Sequence, residues 1–161
     1  MEVKMNLKKS LMNDYYFGLS VIGFLVCVGF IVYSFVSGKI DINAVKTMSF
    51  AEILGDSNCL VVVIFSVLAL VSLIGFIKRF IYIKSFENDN QVIDAKVVDI
   101  SYVKDRCRVK VEYLFNGETF VKKIRLFNNK QTKFVHMDSE VKLLLKDENP
   151  NKVLISELYF D

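Results

Sequence analysis

Four basic side chains alternate with apolar ones on either side of a turn, and their spacing gives them the clearest binding chemistry in the chain. Asn116 and Gly117 are the strongest two-residue signal for a type I′ turn, whose geometry needs positive φ at both positions. A two-residue turn pairs the flanking segments as a β-hairpin in one register. That register sets like charges across the strands: Arg108 opposite Arg125 and Lys110 opposite Lys123. Because like charges in that position are destabilising, with Glu112 as the only nearby acid, the cluster predicts an anionic partner.

Other chemistry is sparse in the sequence. The chain has one histidine, His136, and three cysteines without CxxC spacing, so it has neither a zinc pattern nor a Cys and His catalytic pair. The carboxylates lack the spacing of a catalytic base, a metal set or a phosphate loop. The run Asp147–Pro150 is explained by a turn. We therefore predict a protein that is not an enzyme and that uses no cofactor or metal.

The hairpin belongs to a larger β-region. Alternation of apolar and polar residues predicts further strands at Val92–Val103, at Val141–Leu145 and at Val153–Leu158. With the hairpin these make a five-stranded antiparallel sheet, of a kind that can roll into an OB-like open barrel. The segment Asn128–His136 fits either a short helix or a loop. The hairpin register also predicts an apolar face made by three cross-strand pairs: Tyr113 with Phe120, Val109 with Ile124, and Cys107 with Leu126.

Two uncharged apolar runs, Tyr15–Gly38 and Ser57–Ile77, precede the β-region. Each is long enough as a helix to cross a hydrocarbon core of about 30 Å. The first run is longer than the apolar part of a signal peptide and leads into the second, so we interpret it as an uncleaved anchor. The predicted spans cover residues of about 15–38 and 57–83.

These patterns divide the chain into a transmembrane helical hairpin, residues 1–84, and a small all-β domain, residues 85–161. The first region holds eight Lys or Arg and five acids, whereas the second holds thirteen of each. Basic residues stay on the cytoplasmic side of a membrane. The distribution predicts a multi-pass inner-membrane protein with cytoplasmic N and C termini. Six basic residues lie outside the hairpin (Lys4, Lys8, Lys9, Lys78, Arg79 and Lys84) and two lie in its connection (Lys39 and Lys46).

Small residues in both runs predict close packing of the two helices. In the second run they recur every third position, and in the first they have small-xxx-small spacing. Neither run contains Asp, Glu, Lys, Arg or His, which argues against a transport or channel role. The predicted packing residues are Gly23, Cys27, Ser66, Ala69, Ser72 and Gly75.

The connection between the runs contains a capping-box pattern. Ser49 and Glu52 have the required spacing, and Gly55 can end the turn that follows. The pattern fits a short surface helix, and an ordered loop is the alternative.

The order of elements in the β-region provides a resemblance. A strand is followed by a hairpin whose turn lies in Tyr113–Gly117, and a V-x-L-x-L strand then leads into Asp147–Pro150. Over about Gln91–Ser156 this order resembles a bacterial membrane-anchored family of unknown function, whose small β domain ends in a YDPxNP-like turn. Where that family has an aromatic residue, Asp and Pro, this chain has Leu145, Lys146 and Asp147. The resemblance implies fold and membrane anchoring and carries no activity.

We therefore predict a non-enzymatic inner-membrane protein whose cytoplasmic β domain binds a protein or an anionic membrane lipid. The basic cluster also fits a solvated face whose side chains splay apart. An immunity-type protein that protects against a toxin is the alternative from another class, and a homo-oligomer is compatible with both. Nucleic acid fits less well, because Phe127 is the single aromatic residue on the basic face and the domain is neutral.

Overall fold

The computed structural model describes residues 4–87, 90–146 and 149–161. Over these residues the chain forms two compact units. One is the helical unit, Leu19–Ile77, and the other is the β unit, which combines the segment up to Gly18 with the chain from Lys78 onward. These units divide the chain elsewhere than at the predicted boundary after Lys84. The reason is burial, because Phe17 and Ile83 are fully enclosed in the β unit.

The elements of the described residues follow one another along the chain. The helices are α1 (Leu7–Asn13), α2 (Tyr15–Val36), α3 (Ile42–Thr47), α4 (Phe50–Gly55), α5 (Ser57–Lys84) and α6 (Ser156–Tyr159). The strands are β1 (Asn90–Val103), β2 (Arg106–Phe115), β3 (Glu118–Phe127), β4 (Glu140–Lys146) and β5 (Val153–Ile155), with a 3-10 turn at Thr132–Phe134.

Helices α2 and α5 are long and apolar enough to cross a membrane. Unlike the core helices of a soluble protein, they leave most of their apolar side chains uncovered. In the most apolar window of α2 11% of residues are buried, and in that of α5 the share is 6%. Leu25 and Val71, for example, are 62% and 61% exposed.

Within the helical unit the small residues lie where the two helices meet. A Cβ added to Gly23 would lie 3.1 Å from Ser72 Oγ, and one added to Gly75 would lie 3.1 Å from Ser20 Oγ. Cys27 and Ala69 are buried, while Ser66 donates its hydroxyl to Val62 O within α5 at 2.8 Å. Sequence reasoning did not select Ser20, which supplies the second close contact. The aromatic rings of Phe30 and Phe65 also stack, with centroids 4.4 Å apart.

The connection contains the predicted short helix rather than a loop. Ser49 Oγ accepts a hydrogen bond from Glu52 N at 3.4 Å, and Glu52 Oε2 accepts one from Ser49 N at 2.6 Å. Both halves of the capping box are therefore present, and the hydrogen bond from the Ser49 backbone lowers the pKa of Glu52. The preceding helix α3 was not predicted; its local signal is Asp41, whose carboxylate accepts from Asn43 N at 2.8 Å.

The described part of the β unit contains one five-stranded antiparallel sheet in the order β3-β2-β1-β4-β5. Asn116 and Gly117 have φ of 51° and 83°, as the type I′ turn requires. The register of β2 and β3 confirms every predicted cross-strand pair, including Arg108 opposite Arg125 and Lys110 opposite Lys123. The hairpin prediction is therefore confirmed residue by residue.

The end of the β unit differs from the sequence prediction. Strand β5 ends at Ile155, and Ser156–Tyr159 turn into α6 rather than extending the strand. The helical turn buries both Leu158 and Tyr159, whereas neighbouring residues of a strand would point to opposite faces. The ambiguous segment 128–136 is a loop around the single 3-10 turn at Thr132–Phe134. In the predicted turn, Asp147 and Glu148 lie outside the described residues.

The apolar core of the β unit lies on the inner face of the hairpin and under the helix ends. Val109, Val111 and Leu126 are fully buried there, together with Tyr159. Cys107 is also fully buried in this core, and burial raises the pKa of its thiol to about 11. Its thiol is therefore protonated and unreactive at neutral pH.

We predict that Gly23→Leu destabilises the helical unit and that Gly29→Leu, in the same helix, does not. A Cβ at Gly23 meets the Ser72 side chain, whereas one at Gly29 meets nothing within 4 Å. Overpacking such a close contact costs about 1–3 kcal/mol. Thermal unfolding of the full chain in one detergent, followed by its helical circular dichroism, measures the difference. Equal unfolding temperatures for the two variants would contradict this packing.

Candidate functional site

The terminal segments of the described chain are bound to each other in the β unit. Asn6 N donates to Tyr159 O at 2.9 Å, and Asp161 N donates to Lys4 O at 3.1 Å. Lys9 Nζ forms an ion pair with Asp161 Oδ1 at 2.5 Å, and this partner lowers the pKa of Asp161. Lys9 therefore binds the C-terminal segment. It is also one of the basic residues from which we predicted the orientation of the helices in the membrane.

The β unit also contains a buried ion pair between Asp14 and Arg79. The Asp14 side chain is 0% exposed and that of Arg79 is 25% exposed. Asp14 Oδ2 accepts hydrogen bonds from Arg79 Nε at 3.0 Å, from Arg79 Nη2 and from the Tyr159 hydroxyl at 2.9 Å. Asp14 Oδ1 accepts from Phe17 N at 2.8 Å. Both oxygens of this enclosed carboxylate are thus bound, as a buried charge requires.

Tyr159 remains a hydrogen-bond donor in this cluster. Its burial raises its pKa well above the ordinary value, and the charge of the neighbouring Asp14 raises it further. Sequence reasoning missed this cluster, because Asp14 and Tyr159 are 145 positions apart. The only sequence signal was an acid, Asp14, placed directly before a long apolar run.

Arg79 also lines a cavity of about 330 Å³, which we call the basic cavity. The size lies at the lower end of the range for small-ligand sites. The walls come from the first turn of α2, the last turns of α5, and strands β2, β3 and β5. The lining residues are Tyr16, Arg79, Tyr82, Arg108, Lys122, Lys123, Ile124, Arg125, Val153 and Leu154.

The basic cavity gathers three of the four predicted binding residues. Arg108, Lys123 and Arg125 line it, and Lys122 and Arg79 join them. Lys122 was missed because it lies opposite the apolar Val111, on the other side of the pleat from Lys123. The signal for Arg79 was present in the sequence, where we interpreted its charge only as evidence of orientation.

Lys110 is the predicted residue that does not line the cavity. Its Nζ forms an ion pair with Asp99 Oδ2 at 2.6 Å, and the two residues are direct partners across β1 and β2. Lys110 lowers the pKa of Asp99. The expectation that Glu112 is the only acid near the cluster was therefore wrong. Asp99 was overlooked because a register shift between Val97 and Asp99 changes the pairing of β1 with β2.

The charged side chains of the described cavity wall are all basic. Within the described residues none of the lining side chains is a carboxylate, and Arg108, Lys122, Lys123 and Arg125 form no ion pair. Among the described residues, no acid forms an ion pair with Arg108 or Arg125, which face each other across the strands.

Tyrosines hold two of the arginines in place. Arg125 donates a hydrogen bond to the Tyr16 hydroxyl, and its guanidinium lies 5.5 Å from the centre of that ring. The guanidinium of Arg79 lies 4.7 Å from the ring centre of Tyr82. Such stacking orients the planar guanidinium and limits its freedom to swing into solvent. The arrangement can bind a multiply charged oxyanion.

The remaining candidates from the sequence lie apart from the cavity. His136 is exposed, and its Nδ1 lies 2.8 Å from Phe134 O. Over the residues that the structure describes, no group of three or more His, Cys, Asp or Glu is placed to hold a metal ion. Comparison of the chain with protein-family models, curated proteins and solved structures finds no match. This site is therefore the basis for inferring the function.

We predict that Asp14→Ala lowers the free energy of unfolding far more than Asp161→Ala. The first change leaves the partly buried Arg79 without its anion, which costs about 3–5 kcal/mol. The second removes an ion pair whose side chains are 35% and 61% exposed, and such pairs contribute about 0–1 kcal/mol. Chemical unfolding of both full-length variants in detergent measures the two losses. Similar losses would show that the Asp14 pair does not hold the β unit together.

Proposed function

We propose that this protein is a two-span membrane protein whose cytoplasmic β unit binds the headgroups of acidic phospholipids in the basic cavity. The observation that carries the proposal is the cavity wall, in which arginines, lysines and tyrosines converge without a lining carboxylate among the described residues. A protein surface that served only for solubility would mix both signs of charge.

The membrane part of the proposal rests on α2 and α5. Their lengths of 22 and 28 residues suffice to span a bilayer, and their apolar side chains are largely uncovered within the structure. A bilayer would remove that apolar surface from water, at about 25 cal/mol per Å². The two helices of one hairpin then cross the membrane in opposite directions.

The orientation follows from the basic residues that flank the helices. Those outside the hairpin outnumber those in its connection, which favours a cytoplasmic location for both termini. In that topology Tyr16 lies in the first turn of α2, and Arg79 and Tyr82 lie in the last turns of α5. These are the cytoplasmic ends of the spans, where aromatic and basic side chains meet lipid headgroups.

Lipid binding also accounts for the charge pattern better than a solvated surface does. In a solvated surface the side chains of Arg108 and Arg125 would separate to reduce repulsion. The hydrogen bond and ring contact with Tyr16 instead keep Arg125 beside the cavity. A bound phosphate would neutralise this cluster, and each basic residue near an anionic surface is worth about 1 kcal/mol.

We predict that two variants, each with one added cysteine, are labelled from opposite sides of the membrane. Lys46→Cys lies in the connection and Lys130→Cys in the β unit, and both native side chains are exposed. A membrane-impermeant maleimide added to intact cells should label the first reporter, and the second only after permeabilisation. The native cysteines Cys27, Cys59 and Cys107 are buried and give little background. Labelling of Lys130→Cys in intact cells would overturn the orientation.

We predict that the triple variant Arg108→Ser, Lys123→Ser and Arg125→Ser loses acidic lipid. At about 1 kcal/mol per residue, affinity for phosphatidylglycerol should fall on the order of 100-fold. Native mass spectrometry of the full chain, released from micelles that contain phosphatidylglycerol and phosphatidylcholine, counts the bound lipids.

The matched control for this experiment removes the same charge away from the cavity. Lys104, Lys130 and Lys133 are exposed and do not line it. Their triple replacement by Ser should leave lipid binding near that of the original chain. Equal binding by the two triple variants would contradict a role for the basic cavity.

A further inference from the structure

We infer that the basic cavity prefers a phosphomonoester group, a terminal phosphate with its second ionisable oxygen free, over the phosphodiester of most acidic phospholipids. This inference rests on the proposed function and names the headgroup chemistry of the same site. It is carried by the number of cations without an ion pair and by the arrangement of the guanidinium groups.

The charge balance of the cavity favours a dianion. Among the described residues, Arg79 is paired with Asp14 and the charge of Lys123 acts on Asp99, whereas Arg108, Lys122 and Arg125 have no ion pair. A phosphodiester carries one negative charge, whereas a phosphomonoester carries about 1.5 to 2 at neutral pH. The second negative charge of a monoester therefore neutralises cations that a diester would leave without a counter-charge. Lys110 does not compete for the ligand, because Asp99 occupies it.

The donors of the cavity also match a group with three terminal oxygens. Guanidinium forks bind phosphate through two parallel hydrogen bonds, which requires non-bridging oxygens. A diester has two such oxygens and a monoester has three. Arg108 and Arg125 are direct partners across neighbouring strands, and both line the cavity. Two forks that act on one phosphate need at least three non-bridging oxygens if they share one, so a monoester can engage both forks and a diester cannot. Lys123, on the same face of the strand as Arg125, adds a further positive charge.

The same phosphomonoester chemistry occurs in a lipid and in small soluble molecules. The experiment therefore uses the full chain in a neutral detergent with three probes: dioctanoyl phosphatidic acid, dioctanoyl phosphatidylglycerol and glycerol 3-phosphate. Binding is followed by native mass spectrometry and by the shift in unfolding temperature. One additional charge-assisted hydrogen bond predicts that phosphatidic acid binds about tenfold more tightly than phosphatidylglycerol.

Charge-conserving variants separate donor geometry from charge. In the double variant Arg108→Lys and Arg125→Lys the net charge is unchanged and the forks are lost. We expect its affinity for phosphatidic acid to fall more than its affinity for phosphatidylglycerol, so that the preference for phosphatidic acid falls to about twofold or less. The matched control replaces Arg106, which does not line the cavity, by Lys and should keep the full preference. An unchanged preference in the double variant would overturn the assignment to the two guanidinium groups.

The possible results distinguish this inference from the proposed function. Equal affinity for the two lipids would overturn monoester selectivity and leave acidic-lipid binding intact. No binding of either lipid would overturn both. If glycerol 3-phosphate binds as tightly as phosphatidic acid, the monoester site is supported and its ligand is assigned to the soluble source. If only phosphatidic acid binds tightly, the site is supported as a lipid site.

Discussion

The buried carboxylate of Asp14 joins three segments of the β unit. A charge enclosed by protein is tolerated only when it is paired and hydrogen-bonded. Asp14 meets that condition through two distant partners, the Arg79 guanidinium and the Tyr159 hydroxyl, and through the Phe17 backbone amide three residues along the chain. Separation of the C-terminal segment or the end of α5 from the sheet would leave this charge incompletely satisfied. The ion pair therefore specifies one arrangement of segments that are distant in sequence.

That arrangement has a direct consequence for the basic cavity. Arg79 is bound to Asp14 on one side and contributes to the cavity wall on the other. Its position is therefore set by the fold rather than by a ligand. Tyr16 likewise fixes the position of Arg125 through a hydrogen bond and a ring contact. Both guanidinium groups are thus positioned before the proposed anion binds, which reduces the conformational entropy lost on binding.

Local patterns predicted a large part of this fold. The turn at Asn116 and Gly117 determined the hairpin register, and the capping box at Ser49 marked the start of α4. Predictions failed where local and long-range preferences compete. The predicted strand Val153–Leu158 ends at Ile155, because the helical turn that follows buries both Leu158 and Tyr159. The short helix α1 was not predicted, because its buried residues, Ser10 and Asn13, are polar and bond to the C-terminal segment.

The sequence alone determined the two long apolar helices and the pairing of Arg108 with Arg125, because helix length, residue alternation and turn chemistry act over a few neighbouring residues. Only the tertiary structure decided which cations share a cavity. It separated Lys110 by pairing it with Asp99, and it brought Arg79 to the hairpin from a helix that ends more than twenty residues before it. Such contacts join distant segments through burial and charge pairing, which no local pattern encodes.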